Sequence, residues 1–286
     1  MPFLPLVTAA QHYLKTIGFV RPVDLGGQRL KSMIADGKAD IERVAVDVLR
    51  VELSEQDVAV GLAREWRLGF TRVAKQNDAL TAMKANTDIP TSWVLVSCYY
   101  AAFFAAIELL RVQGRMVFYF EPDDISRIRQ YSSGAHPIAA GNYAFEFGQA
   151  AGGTVVFLGR KTAERPHHAV WKHMGAALGC LNCSDDTAVR VRRLLEFMGS
   201  VAQPEWPSLN ETRNRWNYAA PELYGTTGEK EGKHFRQLVG DDKALFAWAR
   251  SRAIKPTTAE APVPVALTQM LLLKVVRQLH PILVED

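Results

Sequence analysis

Arg213, Asn214, Asn217 and Tyr218 fall within one short stretch, Arg213-Asn214-Arg215-Trp216-Asn217-Tyr218, and each carries a hydrogen-bonding group. Just upstream, Ser208 and Glu211 have the spacing of a capping box, which starts a helix there. With about 100° of rotation per residue and Arg213 at zero, Asn217 falls at about 40°, Asn214 at about 100° and Tyr218 at about 140°. Trp216, at about −60°, can anchor the edge of that arc in a core, while Arg215, at about 200°, points away. A guanidinium fork matches the spacing of two phosphate oxygens, and amides and a phenol beside it add further donors. The arc therefore suits a phosphate. The structural alternative pairs Arg213 with Glu108 or another buried carboxylate, with both asparagines tying loops together.

A second segment bears on the choice. Cys98-Tyr99-Tyr100-Ala101-Ala102-Phe103-Phe104-Ala105-Ala106-Ile107-Glu108-Leu109-Leu110 is a helix rich in alanine and aromatic residues. It resembles the signature helix of the HEPN superfamily, and Arg213-Asn214-x-x-Asn217-Tyr218 is similar to that superfamily's late motif. The likeness covers roughly 90–114 and 186–220. It implies a mainly α, HEPN-like helical bundle, a homodimer, and metal-independent cleavage of RNA in a bacterial toxin–antitoxin or antiviral defence setting. In that chemistry a ribose 2′-OH attacks the adjacent phosphodiester. Arg213 would stabilise charge on phosphorus, Asn214 would position the phosphate or Tyr218, and Tyr218 would donate to a phosphoryl oxygen, with Glu108 and Asn217 in support. The sequence departs from the motif at one point, because Tyr218 stands where the superfamily usually has histidine. Phenols titrate near pKa ~10 and imidazoles near ~6.5, so a tyrosine serves poorly as a base at neutral pH. The resemblance therefore leaves a second implication open: a non-catalytic module that binds nucleotide, RNA or a partner protein such as an antitoxin.

The elements that must position these residues are read from periodicity. Residues 1–87 read as helical, with a stop at Gly18, and Ser54 and Asp57 open a long amphipathic helix through Leu62, Trp66, Phe70, Val73 and Leu80. After the break at Asn86–Pro90, an apolar helix runs to about Val112 and stops at Gly114. Residues 116–185 form an α/β insertion. Met116–Phe120 has strand texture, Tyr143, Phe145 and Phe147 alternate with Ala144, Glu146 and Gly148, and Gln149–Gly153 turns into a second strand, Thr154–Leu158. A shorter helix follows at His168–Leu178, and another runs from Asp185 or Asp186 to Met198. The remainder is helical between proline- and glycine-rich breaks, so 88–115 and 186–286 make up the expected HEPN-like core.

Composition narrows the class. Of the 286 residues, 34 are basic and 30 acidic, giving +4, and 48% are apolar. These proportions exclude a disordered tail, a collagen-like fibre and a disulfide-framed mini-protein. Three cysteines, Cys98, Cys180 and Cys183, fit a reducing cytoplasm. The N-terminal run lacks the pattern of a signal peptide, and Trp93–Leu110 reads as a core helix rather than a membrane span. Arg190, Arg192, Arg193 and Arg215 could face RNA, as could the aromatic rings of Phe118, Tyr119 and Tyr143. Cys180-x-x-Cys183 with His167, His168 and His173 upstream is half of a zinc pattern without a second pair, so no metal is expected. Gly148-x-x-x-Gly152-Gly153 lies between strands and suits a hairpin turn better than a phosphate loop. There is no Gly-x-Ser-x-Gly elbow, and no organic cofactor is expected.

Overall fold

A computed structural model describes residues 4–24, 26–181, 189, 208–251 and 262–284. The helix expected from Asp185 or Asp186 to Met198 lies outside these residues, together with Cys183, Arg190, Arg192 and Arg193.

The chain divides into two compact units, and the boundary passes within its two longest consecutive helices. One unit comprises Thr8–Leu68, Ile107–Ala169 and Leu279–Asp286. Its centre is a five-stranded antiparallel sheet in the order β1-β2-β5-β4-β3, built from β1 (Asp40–Ala45), β2 (Val48–Ser54), β3 (Arg115–Phe120), β4 (Gly141–Ala151) and β5 (Thr154–Thr162). One face is apolar by strict alternation: Leu49, Val51 and Leu53 of β2, Met116, Phe118 and Phe120 of β3, and Tyr143 and Phe145 of β4 are all buried. The β4–β5 hairpin turns at Gly152 and Gly153, with φ of 62° and 83°, a two-residue connection that requires left-handed backbone at both positions.

Helix α5 (Pro122–Tyr131) follows β3 and packs against both β1 and β3, with the short α2 (Leu30–Ala35) beside it. Asp124 of α5 binds Lys31 of α2 at 2.9 Å. Helix α1 (Leu4–Thr16) contributes Tyr13, whose ring meets Phe147 edge-on at 5.3 Å, and stops before Gly18 at φ 61°, as expected.

This sheet corrects the expected fold. The protein is not all-α, and its β-structure is no small hairpin insertion in a helical bundle. Residues 40–54, read as helical, form the β1–β2 hairpin, and β2 pairs in register with β5 from Val48↔Arg160 to Ser54↔Thr154. Burying one face of β2 against a strand a hundred residues downstream outweighs local helix preference. The fold is mixed α/β.

The second unit comprises Met1–Val7, Gly69–Ala106 and Val170–Gln278 and is helical in its described residues. It contains most of α3 (Glu55–Ala85), α4 (Thr91–Arg111) and α6 (Pro166–Gly179). These are followed by α7 (Leu209–Asn214), a π-helical turn (Arg215–Ala219), a 3-10 turn (Pro221–Tyr224), α8 (Thr226–Leu238), α9 (Asp242–Ser251) and nearly all of α10 (Val263–Leu283). Ser54 caps α3 by accepting from the Asp57 amide at 3.0 Å, as its sequence predicts. Helix α4 is long and apolar enough by composition to cross a membrane, but 78% of its apolar window is buried within the protein, so it is a core helix.

Candidate phosphate site

The Ser208–Glu211 capping box forms on both sides. Ser208 Oγ accepts from the Glu211 amide at 3.1 Å, and Glu211 Oε2 accepts from the Ser208 amide at 2.7 Å. The helix it starts lasts only six residues. At Arg215 the α-turn widens into a π-turn, closed by the Ala220 amide donating to the Arg215 carbonyl at 3.1 Å. In the wider turn each residue advances by less than an α-helical step, so Tyr218 swings back toward the bearing of Arg213. Trp216 is buried, as expected of the anchor.

Arg213 is 7% exposed and lies among tyrosines. Its guanidinium carbon sits 5.0 Å from the Tyr99 ring centre, 5.7 Å from Tyr100 and 5.8 Å from Tyr218. Helix α4 supplies Tyr99 and Tyr100, and the π-turn supplies Tyr218. One terminal nitrogen donates to Asn210 Oδ1 at 3.2 Å, and the Tyr99 hydroxyl donates to the same oxygen at 3.4 Å. Trp171 of α6 donates to that hydroxyl at 3.0 Å, completing a chain from indole to guanidinium. Burial pushes the Tyr99 phenol up to about 12, although Trp171 and Arg213 both pull it the other way.

Two features separate Arg213 from an ordinary structural arginine. Among the described residues no carboxylate pairs with it, and its Nε–H is buried without an acceptor. Three tyrosine faces supply partial negative charge, worth about 0.5–2 kcal/mol each where desolvated, but they do not neutralise a full positive charge.

The predicted residues do not all converge. Asn214 ends α7 half-buried. Asn217, also half-buried, turns toward Tyr224, whose hydroxyl donates to its Oδ1 at 3.1 Å and its carbonyl at 3.2 Å. Arg215 is exposed and pairs with Glu231 at 3.2 Å. Glu108 falls in the sheet-bearing unit, where Arg111 binds it at 2.6 Å and binds Glu65 at 2.9 Å. Phe118 and Tyr143 pack in the apolar face of the sheet and are closed to any base, whereas Tyr119 is exposed. Sequence reading missed Asn210, Tyr99, Tyr100 and Trp171. The signal for Asn210 was its place three residues before Arg213, one turn back on the same helix.

No three His, Cys, Asp or Glu side chains converge as metal ligands among the described residues, and Cys180 is a free, exposed thiol. An open groove in the sheet-bearing unit, lined by Gly18, Val20, Val23, Glu55 and Val60, contains none of the predicted site residues. The chain matches no protein-family model, curated protein or solved structure.

Proposed function

We propose that this protein binds RNA through Arg213, whose guanidinium takes a backbone phosphate. The observation that carries this reading is a nearly buried guanidinium with no carboxylate among the described residues and an Nε–H left without an acceptor. A phosphate supplies both the charge and the acceptor oxygens that the described residues leave unmet. Tyr218 is 72% exposed and is the most open of the three rings around the guanidinium, so rotation of its side chain uncovers Arg213 from the solvent side.

The geometry supports binding ahead of cleavage. In-line attack by a 2′-OH needs a group that takes its proton, and the ring beside Arg213 is a phenol, which at neutral pH donates.

One assay separates the two. The protein is titrated with labelled RNA in EDTA, alongside Arg213→Ala. Charge-assisted hydrogen bonds are worth about 1.5–3 kcal/mol, so the variant should bind about ten- to hundredfold more weakly. Unchanged affinity would end the reading. Cleavage that persists in EDTA, leaves cyclic phosphate ends and vanishes in the variant would make the same site a metal-independent ribonuclease. Tyr218→His then tests whether an imidazole at that position raises the rate.

A further inference from the structure

Helix α4 carries an aromatic stripe that extends beyond Arg213 in both directions. Trp93, Tyr100 and Phe104 are seven and four residues apart, so they share one face of the helix and span about 16 Å along its axis. Trp93 is 48% exposed, and the Tyr224 ring meets it edge-on at 6.0 Å. Tyr224 is held in turn by Asn217, the residue next to Tyr218. Tyr100 and Phe104 are half-buried with ring centres 5.9 Å apart.

A guanidinium lies over each of these last two rings: Arg213 over Tyr100 at 5.7 Å, and the exposed Arg72 of α3 over Phe104 at 4.1 Å. All of these residues belong to the helical unit. The acidic residue at the Trp93 end, Glu229, is engaged: its carboxylate accepts from the Thr91 amide and hydroxyl at 2.7 and 2.8 Å and lies 3.7 Å from Arg236.

Two exposed rings, Trp93 and Tyr218, with two guanidiniums on the same face of the helical unit are what an unpaired strand requires. Every base offers a π-face whatever its identity, and phosphates recur between bases. A paired duplex offers only its backbone, because its bases are already stacked on each other. We propose that the nucleic acid held at Arg213 is single-stranded and lies along this face of α4, stacking bases on Trp93 and Tyr218 and setting phosphates against Arg213 and Arg72. The inference rests on the phosphate-binding reading of Arg213 and adds the substrate class and its path.

The test measures equilibrium binding of a labelled 12-nucleotide oligo-uridine, its DNA counterpart and an RNA duplex of equal length. The protein is compared with Trp93→Ala, Trp93→Phe, Arg72→Gln and Arg213→Ala. Loss of a stacked base is worth about 1–3 kcal/mol, so Trp93→Ala should weaken single-strand binding about five- to hundredfold, while Trp93→Phe keeps most of it. The salt dependence should stay unchanged in Trp93→Ala and become shallower in Arg72→Gln, because only the second removes a phosphate contact. Ultraviolet crosslinking of the unmodified protein should mark the peptides containing Trp93 or Tyr218, a readout that does not depend on how any variant folds. Equal affinity for duplex, or crosslinks elsewhere, would overturn the stripe while leaving Arg213 as a phosphate contact. Tighter binding of the DNA strand than of the RNA strand would keep the stripe and overturn the RNA reading. Loss of no affinity in Arg213→Ala would end both.

Discussion

Two arginines in this chain have opposite surroundings. Arg111 lies between Glu65 and Glu108, both essentially closed to solvent, and the two carboxylates raise its pKa against the burial that would lower it. Arg213 has only neutral partners among the described residues. Removing Arg111 leaves two buried negative charges facing one another, so Arg111→Met should destabilise the protein by about 3–5 kcal/mol in urea titration. Arg213→Met replaces a cation that has no carboxylate partner among the described residues with an apolar chain of similar length. It should cost less than about 1.5 kcal/mol, the range of tolerated volume-conserving swaps, while abolishing phosphate binding. A larger stability loss at 213 than at 111 would mean that the guanidinium among the tyrosines is a structural group. At this scale the sequence was informative but incomplete. The capping box, the Trp216 anchor and Arg213 itself were legible because they depend on neighbours within one turn. The pairing of Glu108 with Arg111, three residues on, is equally local, and it takes the carboxylate that the sequence reading offered to Arg213. Two of the three tyrosines around Arg213, Tyr99 and Tyr100, come from a helix a hundred residues upstream, and no spacing rule reveals that.

Among the elements, the least predictable is the turn that follows α7. An α-helix was expected through Tyr218, and it changes at Arg215 to a π-turn within which Asn217 is held by Tyr224 rather than by Arg213. What fixes the following 3-10 turn is visible in the next helix. A Cβ at Gly228 of α8 would stand 1.8 Å from the Leu223 carbonyl oxygen, a contact with backbone that cannot give way. In an exposed helix Gly→Ala usually gains about 0.5–1 kcal/mol. Here Gly228→Ala should instead destabilise by about 1–3 kcal/mol, the range of an overpacked site, and should shift the melting transition down. Because Tyr224 ends that turn, the same change should also weaken stacking at Trp93. A neutral or raised melting temperature would show that the turn adapts. Strand β2 makes the complementary point about legibility. The alternation of Leu49, Val51 and Leu53 with Arg50 and Glu52 is plain in the sequence, yet residues 40–54 sit between helical patterns and their pairing partner is β5. The β4–β5 hairpin, whose partners adjoin across Gly152-Gly153, was foreseen.

For the molecule as a whole, two ion-paired carboxylates of the sheet-bearing unit set where acid acts. In the sheet-bearing unit, burial raises the Asp124 carboxyl, but hydrogen bonds from Lys31, the Glu121 amide and Arg127 together outweigh it and hold the group below the usual range. Asp57 behaves alike: burial raises it, and Lys38 and the Ser54 hydroxyl lower it further. A carboxyl whose folded value is depressed contributes stability that is complete above its unfolded pKa, near ~3.9, and is lost as pH falls through the folded value. Both pairs are partly open to water, so each contributes on the order of 1 kcal/mol or less. The two tie different parts of one unit: Asp124 links α5 to α2, and Asp57 at the start of α3 holds Lys38 at 2.6 Å, just before β1. Acidification below about pH 4 should therefore loosen the sheet-bearing unit at α2, α5 and the start of α3. Hydrogen exchange followed by mass spectrometry from pH 5 to pH 3, corrected for intrinsic rates, should show β1, α2 and α5 losing protection. Asp124→Asn should flatten that dependence for α2 and α5 at a small cost in stability at pH 7. Simultaneous loss across both units would mean that acid acts on the molecule as one cooperative body, and an unchanged profile in the variant would remove Asp124 as its cause.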